Sequence, residues 1–92
     1  MKHGDVVTIL TPLGEMIGRI KSEDESSITL SDPRLFVAQD TGSGLAPGIC
    51  MTGVPDTKEA VLFKGGIVGM VPTAPELISA WQQQTSGLVI PS

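Results

Sequence analysis

Few side chains in this chain of 92 residues could do chemistry, and they are scattered. Cys50 is its one cysteine and His3 its one histidine. A cysteine nucleophile needs a base that holds its thiolate, and no histidine partner for Cys50 is evident. His3 has no second ligand at metal-binding spacing and reads as a terminal side chain. Gly42-Ser43-Gly44 has the glycines of a phosphate cradle but lacks the Lys and Ser/Thr that close a P-loop. These groups predict no catalytic residue, no metal and no cofactor, so the chain reads as a non-enzyme. Lys64 beside Gly65 is more suggestive: an ammonium on a tight turn could meet a phosphate. A solvated turn explains the same pair of residues equally simply.

Composition bounds what such groups could serve. The chain is 40% apolar and 17% charged, with a formal net charge of −4. That is one ordered domain over residues 1–92, too apolar for disorder and too interrupted for a membrane span. The acidic balance opposes an open basic patch for duplex DNA, whose affinity rests on phosphate neutralisation. Phe36, Phe63 and Trp81 are the only aromatic residues, so stacking platforms are limited. No apolar stretch follows the charged start Met1-Lys2-His3-Gly4-Asp5, and a lone cysteine forms no internal disulfide. The cytoplasm, or a host's cytoplasm, is the expected compartment.

The elements that must position these groups follow from pattern. Residues 5–10 read as a strand with a β-branched run, 11–14 as a Pro-Gly turn, and 15–22 as a second strand. Gly18 inside that strand predicts a bulge or sharp bend. Residues 23–26 form a polar turn. Ser27 opens a third strand, which Asp32-Pro33 interrupts and residues 35–38 resume. Residues 39–57 read as one long loop. Residues 58–64 and 67–71 are two further strands, which Gly65-Gly66 joins as a hairpin. Thr73 and Glu76 have capping-box spacing for a helix over about 74–86. Its stripe of Ala74, Leu77, Ile78 and Trp81 reads as cover for the mouth of a barrel. Gly87 marks a helix end, and Leu88-Val89-Ile90-Pro91 is an apolar tail that can pack back. Short strands at hairpin spacing with one terminal helix mean a mainly β fold, a small barrel or sandwich.

Two segments carry a family resemblance. Val7, Ile9, Gly14, Gly18, Ile20, Asp24, Ile28, Leu30 and Asp32 resemble the first motif of the Sm/LSm family. Residues 61–71, with Lys64-Gly65 between two apolar strands, resemble the second. The chain is also similar to short Sm-like proteins carried by phages. The resemblance implies a strongly bent, five-stranded antiparallel barrel of the Sm-like (SH3-type) form over about 5–71. It implies a homo-oligomeric ring closed through edge strands 58–64 and 67–71. It also implies single-stranded nucleic acid, RNA in the first instance, at Asp24, Ser26, Ser27, Lys64 and Gly65, in RNA or DNA processing or chaperoning. The departures are specific. Ser26 and Ser27 stand where the family has its stacking residue and its Asn, and Lys64 stands for the usual Arg. Serines are ordinary turn formers, and an Asp such as Asp24 often orders its own turn. The acidic charge and the missing stacker favour an alternative, a structural ring or adaptor in a larger assembly such as a phage's.

Asp40-Thr41-Gly42-Ser43 resembles the active-site loop of aspartic proteases, where two such loops bring together carboxylates that share a proton. Ile67-Val68-Gly69 before a helix echoes that family's second signature. A dimeric protease using Asp40 is therefore a remote rival. Polar Gln39 stands where those enzymes have an apolar residue, and only 48 residues follow Gly44.

Overall fold

The computed structural model describes residues 2–86. Val6–Thr11 (β1) and Gly14–Glu23 (β2) form the predicted antiparallel hairpin. The Thr11 hydroxyl fixes its turn, donating to the Gly14 carbonyl and accepting from the Leu13 amide, each at 3.1 Å. Ser27–Gln39 (β3) pairs with β2. It runs through Asp32-Pro33, where the sequence predicts an interruption. Between Ile17/Arg34 and Arg19/Ser31, β2 advances two residues and β3 three. The extra residue is taken up as a bulge, with Asp32 at a φ of 50°. A bulge is a place where a strand tolerates proline, because no ladder bond is required there. Gly18 faces this bulge. A Cβ at Gly18 would lie 3.0 Å from Leu30 Cδ1 and 3.3 Å from the Ser31 carbonyl oxygen, so glycine lets the two strands close up.

The bend gives one edge of β3 two successive partners. Gly42–Leu45 (β4) pairs along residues 36–39 and Glu59–Phe63 (β5) along residues 27–31. Gly69–Pro72 (β6) pairs with β1. The result is a six-stranded antiparallel sheet of order β4-β3-β2-β1-β6, with β5 also on β3. β5 and β6 are not joined as a hairpin. Lys64–Gly66 forms a single 3-10 turn, and the two strands leave it for opposite ends of the sheet. Loop 39–57 is likewise shorter than predicted, because β4 occupies its first part.

Val7, Ile9, Met16, Ile20, Ile28 and Leu30 form the core on one face. Leu62 of β5, Ile67 just after the 3-10 turn, and Met70 of β6 pack against that same cluster. Strands at opposite ends of the bonded path can share one core only if the sheet curls, and bulges together with twist supply the curl. The sheet does not close, since β5 and β6 form no ladder with each other.

Thr8, Ile17 and Arg34 stand side by side across β1, β2 and β3 on the opposite face, all buried. Pro75–Thr85 (α1) docks there through Trp81, whose indole N–H donates to the Asp32 carbonyl at 2.8 Å. The Arg19 guanidinium lies over the ring, 5.4 Å from its centroid. The helix therefore covers the outside of the sheet rather than a barrel mouth. The expected capping box is not formed: Ala74 is the N-cap, Pro75 follows it, and Thr73 is buried with its hydroxyl 2.9 Å from that of Thr8. A partner in the interior outcompetes an exposed cap for that hydroxyl. Gly87 and residues 88–91 lie outside the described residues. Among the described residues no helix is long and apolar enough to cross a membrane.

Candidate site at two joined turns

The five residues singled out by sequence, Asp24, Ser26, Ser27, Lys64 and Gly65, come together. β3 and β5 pair Ser27 with Phe63, and the next amide, Lys64 N–H, donates to the Ser26 carbonyl at 2.9 Å. The β2–β3 turn and the 3-10 turn are thus one continuous surface.

Asp24 organises the first turn. Its Oδ1 accepts the Ser26 and Ser27 amides at 2.8 Å each and both serine hydroxyls at 3.2 Å. This is the local Asx arrangement by which a carboxylate ends a strand and starts the next. The Ser26 amide, then the Ser27 amide, stabilise the ionised carboxylate and hold Asp24 below its ordinary 3.8. The unfolded chain has the ordinary value, so the carboxylate's contribution to the turn is present above that pH. It is lost as pH falls through the lower folded value. The Ser26 and Ser27 amide resonances are expected to titrate together with a midpoint below 3.8. A midpoint at or above that value would show that the carboxylate does not hold the turn.

The electrostatics of the surface are acidic. Glu23, Asp24 and Glu25 are consecutive, and Glu23 Oε2 lies 2.8 Å from the Lys64 ammonium. Lys21, the next cation along β2, is bonded to Glu59. The site can therefore offer hydroxyl and carboxylate oxygens to hydrogen-bond donors, while its cations are matched by carboxylates. Sequence reasoning missed the Glu23–Lys64 pair, because the end of β2 and the 3-10 turn are distant in the chain.

The other candidates lie apart from these two turns. Asp40 and Thr41 form the exposed tip of the β3–β4 hairpin, followed by Gly42 at a φ of 135°. Asp-Thr-Gly is here a hairpin turn in which glycine takes a φ that other residues resist. Ser43 and Gly44 are strand residues of β4, and His3 is exposed near the start of the chain.

The feature that sequence reasoning passed over is apolar. Leu35, Val37, Ile49, Met51 and Val54 line a cleft of about 390 Å³ between the β3–β4 hairpin and the following loop. A second of about 470 Å³ lies against Leu13, Phe63 and Ile67. Ile49 and Cys50 border both. The only signal in the sequence was the run of apolar residues 49, 51 and 54 in a segment otherwise rich in Gly and Pro. Compared with known proteins, the chain matches no family model and no curated protein.

Proposed function

We propose that this chain is an Sm-like barrel subunit that assembles head to tail with copies of itself into a ring. The observation that carries this reading is a pair of half-bonded edges. Among the described residues β5 bonds only to β3 and β6 only to β1, while Val61 and Phe63 are 54% and 71% exposed and Val68 and Val71 are exposed as well. An unpaired edge carrying apolar side chains is a template for another strand. β5 of one copy against β6 of the next satisfies both edges, and such a heterologous contact makes a ring when its rotation closes. The curl of the sheet around one core, and the bulge opposite Gly18, support the strongly bent barrel that the Sm-like resemblance implies. Light scattering on the eluting particle is expected to give a mass of five or more chains. Val61→Lys, which puts a charge on the edge, is expected to reduce it to single chains. A monomer of the native chain at about 50 µM would end the reading.

The role that the site's charge supports is structural: a ring serving as spacer or adaptor in a larger assembly. Phosphate binding wants unpaired cations, and Lys64 faces Glu23 within a run of three acids. One observation favours the second reading, single-stranded RNA or DNA at Asp24, Ser26, Ser27, Lys64 and Gly65: the Lys64–Ser26 bond makes the two turns one surface. Fluorescence anisotropy with labelled oligo-U, oligo-A and single-stranded DNA at low salt decides between them. No binding is expected. Binding that Lys64→Ala weakens, with a shallower salt dependence, would replace the structural role by the nucleic-acid one.

A further inference from the structure

We propose that the Asp32–Pro33 peptide bond is a self-cleavage site, cut by the Asp32 side-chain carboxylate while the Trp81 indole N–H holds the oxygen of the scissile carbonyl. This is the one Asp–Pro bond in the chain. Asp32 sits in the β3 bulge at a φ of 50°, a left-handed backbone that most side chains resist and that a following proline leaves little room to relax. Its Oδ1 is buried and accepts no hydrogen bond among the described residues, and the Lys58 ammonium stands 3.9 Å away. An oxygen that no donor holds keeps its lone pairs for attack. The main-chain carbonyl of Asp32 accepts the Trp81 indole N–H at 2.8 Å, from a side chain only 3% exposed. A donor fixed in such a dry place polarises the carbonyl and stabilises negative charge gathering on its oxygen. Pro33 supplies a tertiary amide nitrogen with no hydrogen of its own, which takes up a proton more readily as it leaves than an ordinary amide nitrogen does.

The chemistry balances with this chain and water alone. A carboxylate oxygen of Asp32 attacks the main-chain carbonyl carbon of the same residue and closes a cyclic anhydride. A C–O bond forms and the Asp32–Pro33 C–N bond breaks. Its electron pair goes to the Pro33 nitrogen, which takes a proton from hydronium, so mild acid favours the step. One water then opens the anhydride. Asp32 is left with a main-chain and a side-chain carboxyl, and Pro33 with a free secondary amine. The sum is hydrolysis of one peptide bond, once per chain, which asks for no turnover. The Asp32 side chain is 27% exposed, which admits the water. The sheet tolerates the cut at this place, because Ser31 and Arg34 on either side stay paired with Arg19 and Ile17 of β2. The two pieces therefore remain together in the native fold, and the nick shows only after unfolding.

The experiment incubates the full chain in mildly acidic buffer, with circular dichroism to confirm that it is folded, and follows intact mass after denaturation. Fragments 1–32 and 33–92 are expected to accumulate. The same chain held unfolded in urea at the same pH is the reference, since every Asp–Pro bond has some lability of its own. The folded chain is expected to cleave at least about tenfold faster, because only the fold supplies the donor and the strained backbone. Trp81→Phe keeps most of the ring volume and removes the donor, and is expected to slow cleavage at least about tenfold while remaining folded. Asp32→Asn is expected to abolish it. Hydroxylamine added to the native chain is expected to trap the anhydride, so that fragment 1–32 appears as its hydroxamate. Cleavage no faster in the folded chain than in urea overturns the proposal, and that comparison needs no variant to fold. A folded Trp81→Phe that cleaves at the native rate overturns it as well, as does a fragment 1–32 that carries no hydroxamate. None of these outcomes depends on whether the chain forms a ring.

Discussion

Trp81→Ala is expected to lower the unfolding free energy by about 3–5 kcal/mol in urea titrations followed by circular dichroism, the usual cost of truncating a buried aromatic residue. Trp81 is the one residue of α1 that is fully buried, at 3% exposure, whereas Leu77 and Ile78 are only half-buried. Three losses coincide in the variant. A large cavity opens where the indole was buried, the Asp32 carbonyl loses the indole donor, and Arg19 loses the ring beneath its guanidinium. The short helix has no side-chain cap and little intrinsic stability of its own, so it relies on this one anchor. Trp81→Phe keeps most of the volume and removes the hydrogen bond, so its cost is expected at about 1–2 kcal/mol. A loss below about 1 kcal/mol for Trp81→Ala would mean that α1 contributes nothing to the fold.

What the sequence made legible was local. The alternation of Val7, Ile9, Met16, Ile20, Ile28 and Leu30 marks strands and their inner face, and it needs nothing beyond side chains pointing to opposite sides of a strand. Gly18 was readable as a bend because a glycine within a strand has little other use. Asp24 with two following serines is a turn whose chemistry lies within four residues. What stayed hidden depends on distant partners. Gly65-Gly66 is compatible with a hairpin and with a 3-10 turn. The choice falls to Leu62 and Met70, which reach the same core from opposite ends of the sheet. The capping box at Thr73 was sound local chemistry, overridden by a hydroxyl on β1. The candidate site came together as expected, but its sign did not: Lys64 looked like a free cation until Glu23 was placed beside it. The Asp40 loop shows the converse, a catalytic-looking tetrapeptide that forms the tip of a hairpin.

Arg34→Ala is expected to destabilise the fold by about 2–4 kcal/mol, although nothing in the sequence distinguishes this arginine from a surface one. Its side chain is 1% exposed. One terminal nitrogen donates to the Pro33 carbonyl at 2.8 Å and to the Thr57 carbonyl at 3.2 Å, and the other lies 3.5 Å from Asp56 Oδ1. The guanidinium thus clamps the end of the long loop to the bulge in β3. The loop is tied there by backbone bonds as well, Asp32 N–H to the Lys58 carbonyl at 2.7 Å and Leu35 N–H to the Gly48 carbonyl at 3.0 Å. Two effects compete in setting the magnitude. Removing the side chain leaves a cavity and unpaired carbonyls, which is costly. Against this, the buried Nε has no partner among the described residues, so the native residue already carries an unmet donor that alanine removes. The carbonyl clamp dominates, because the ion pair is long and its Asp56 side chain is 66% exposed, a setting in which such pairs are worth little. Asp56→Asn is therefore expected to cost less than about 1 kcal/mol. Hydrogen exchange should separate the two variants in the same way, with the amides of Leu35 and Asp32 exchanging faster in Arg34→Ala and almost unchanged in Asp56→Asn. Equal destabilisation by the two substitutions would place the anchoring in the charge pair rather than in the clamp.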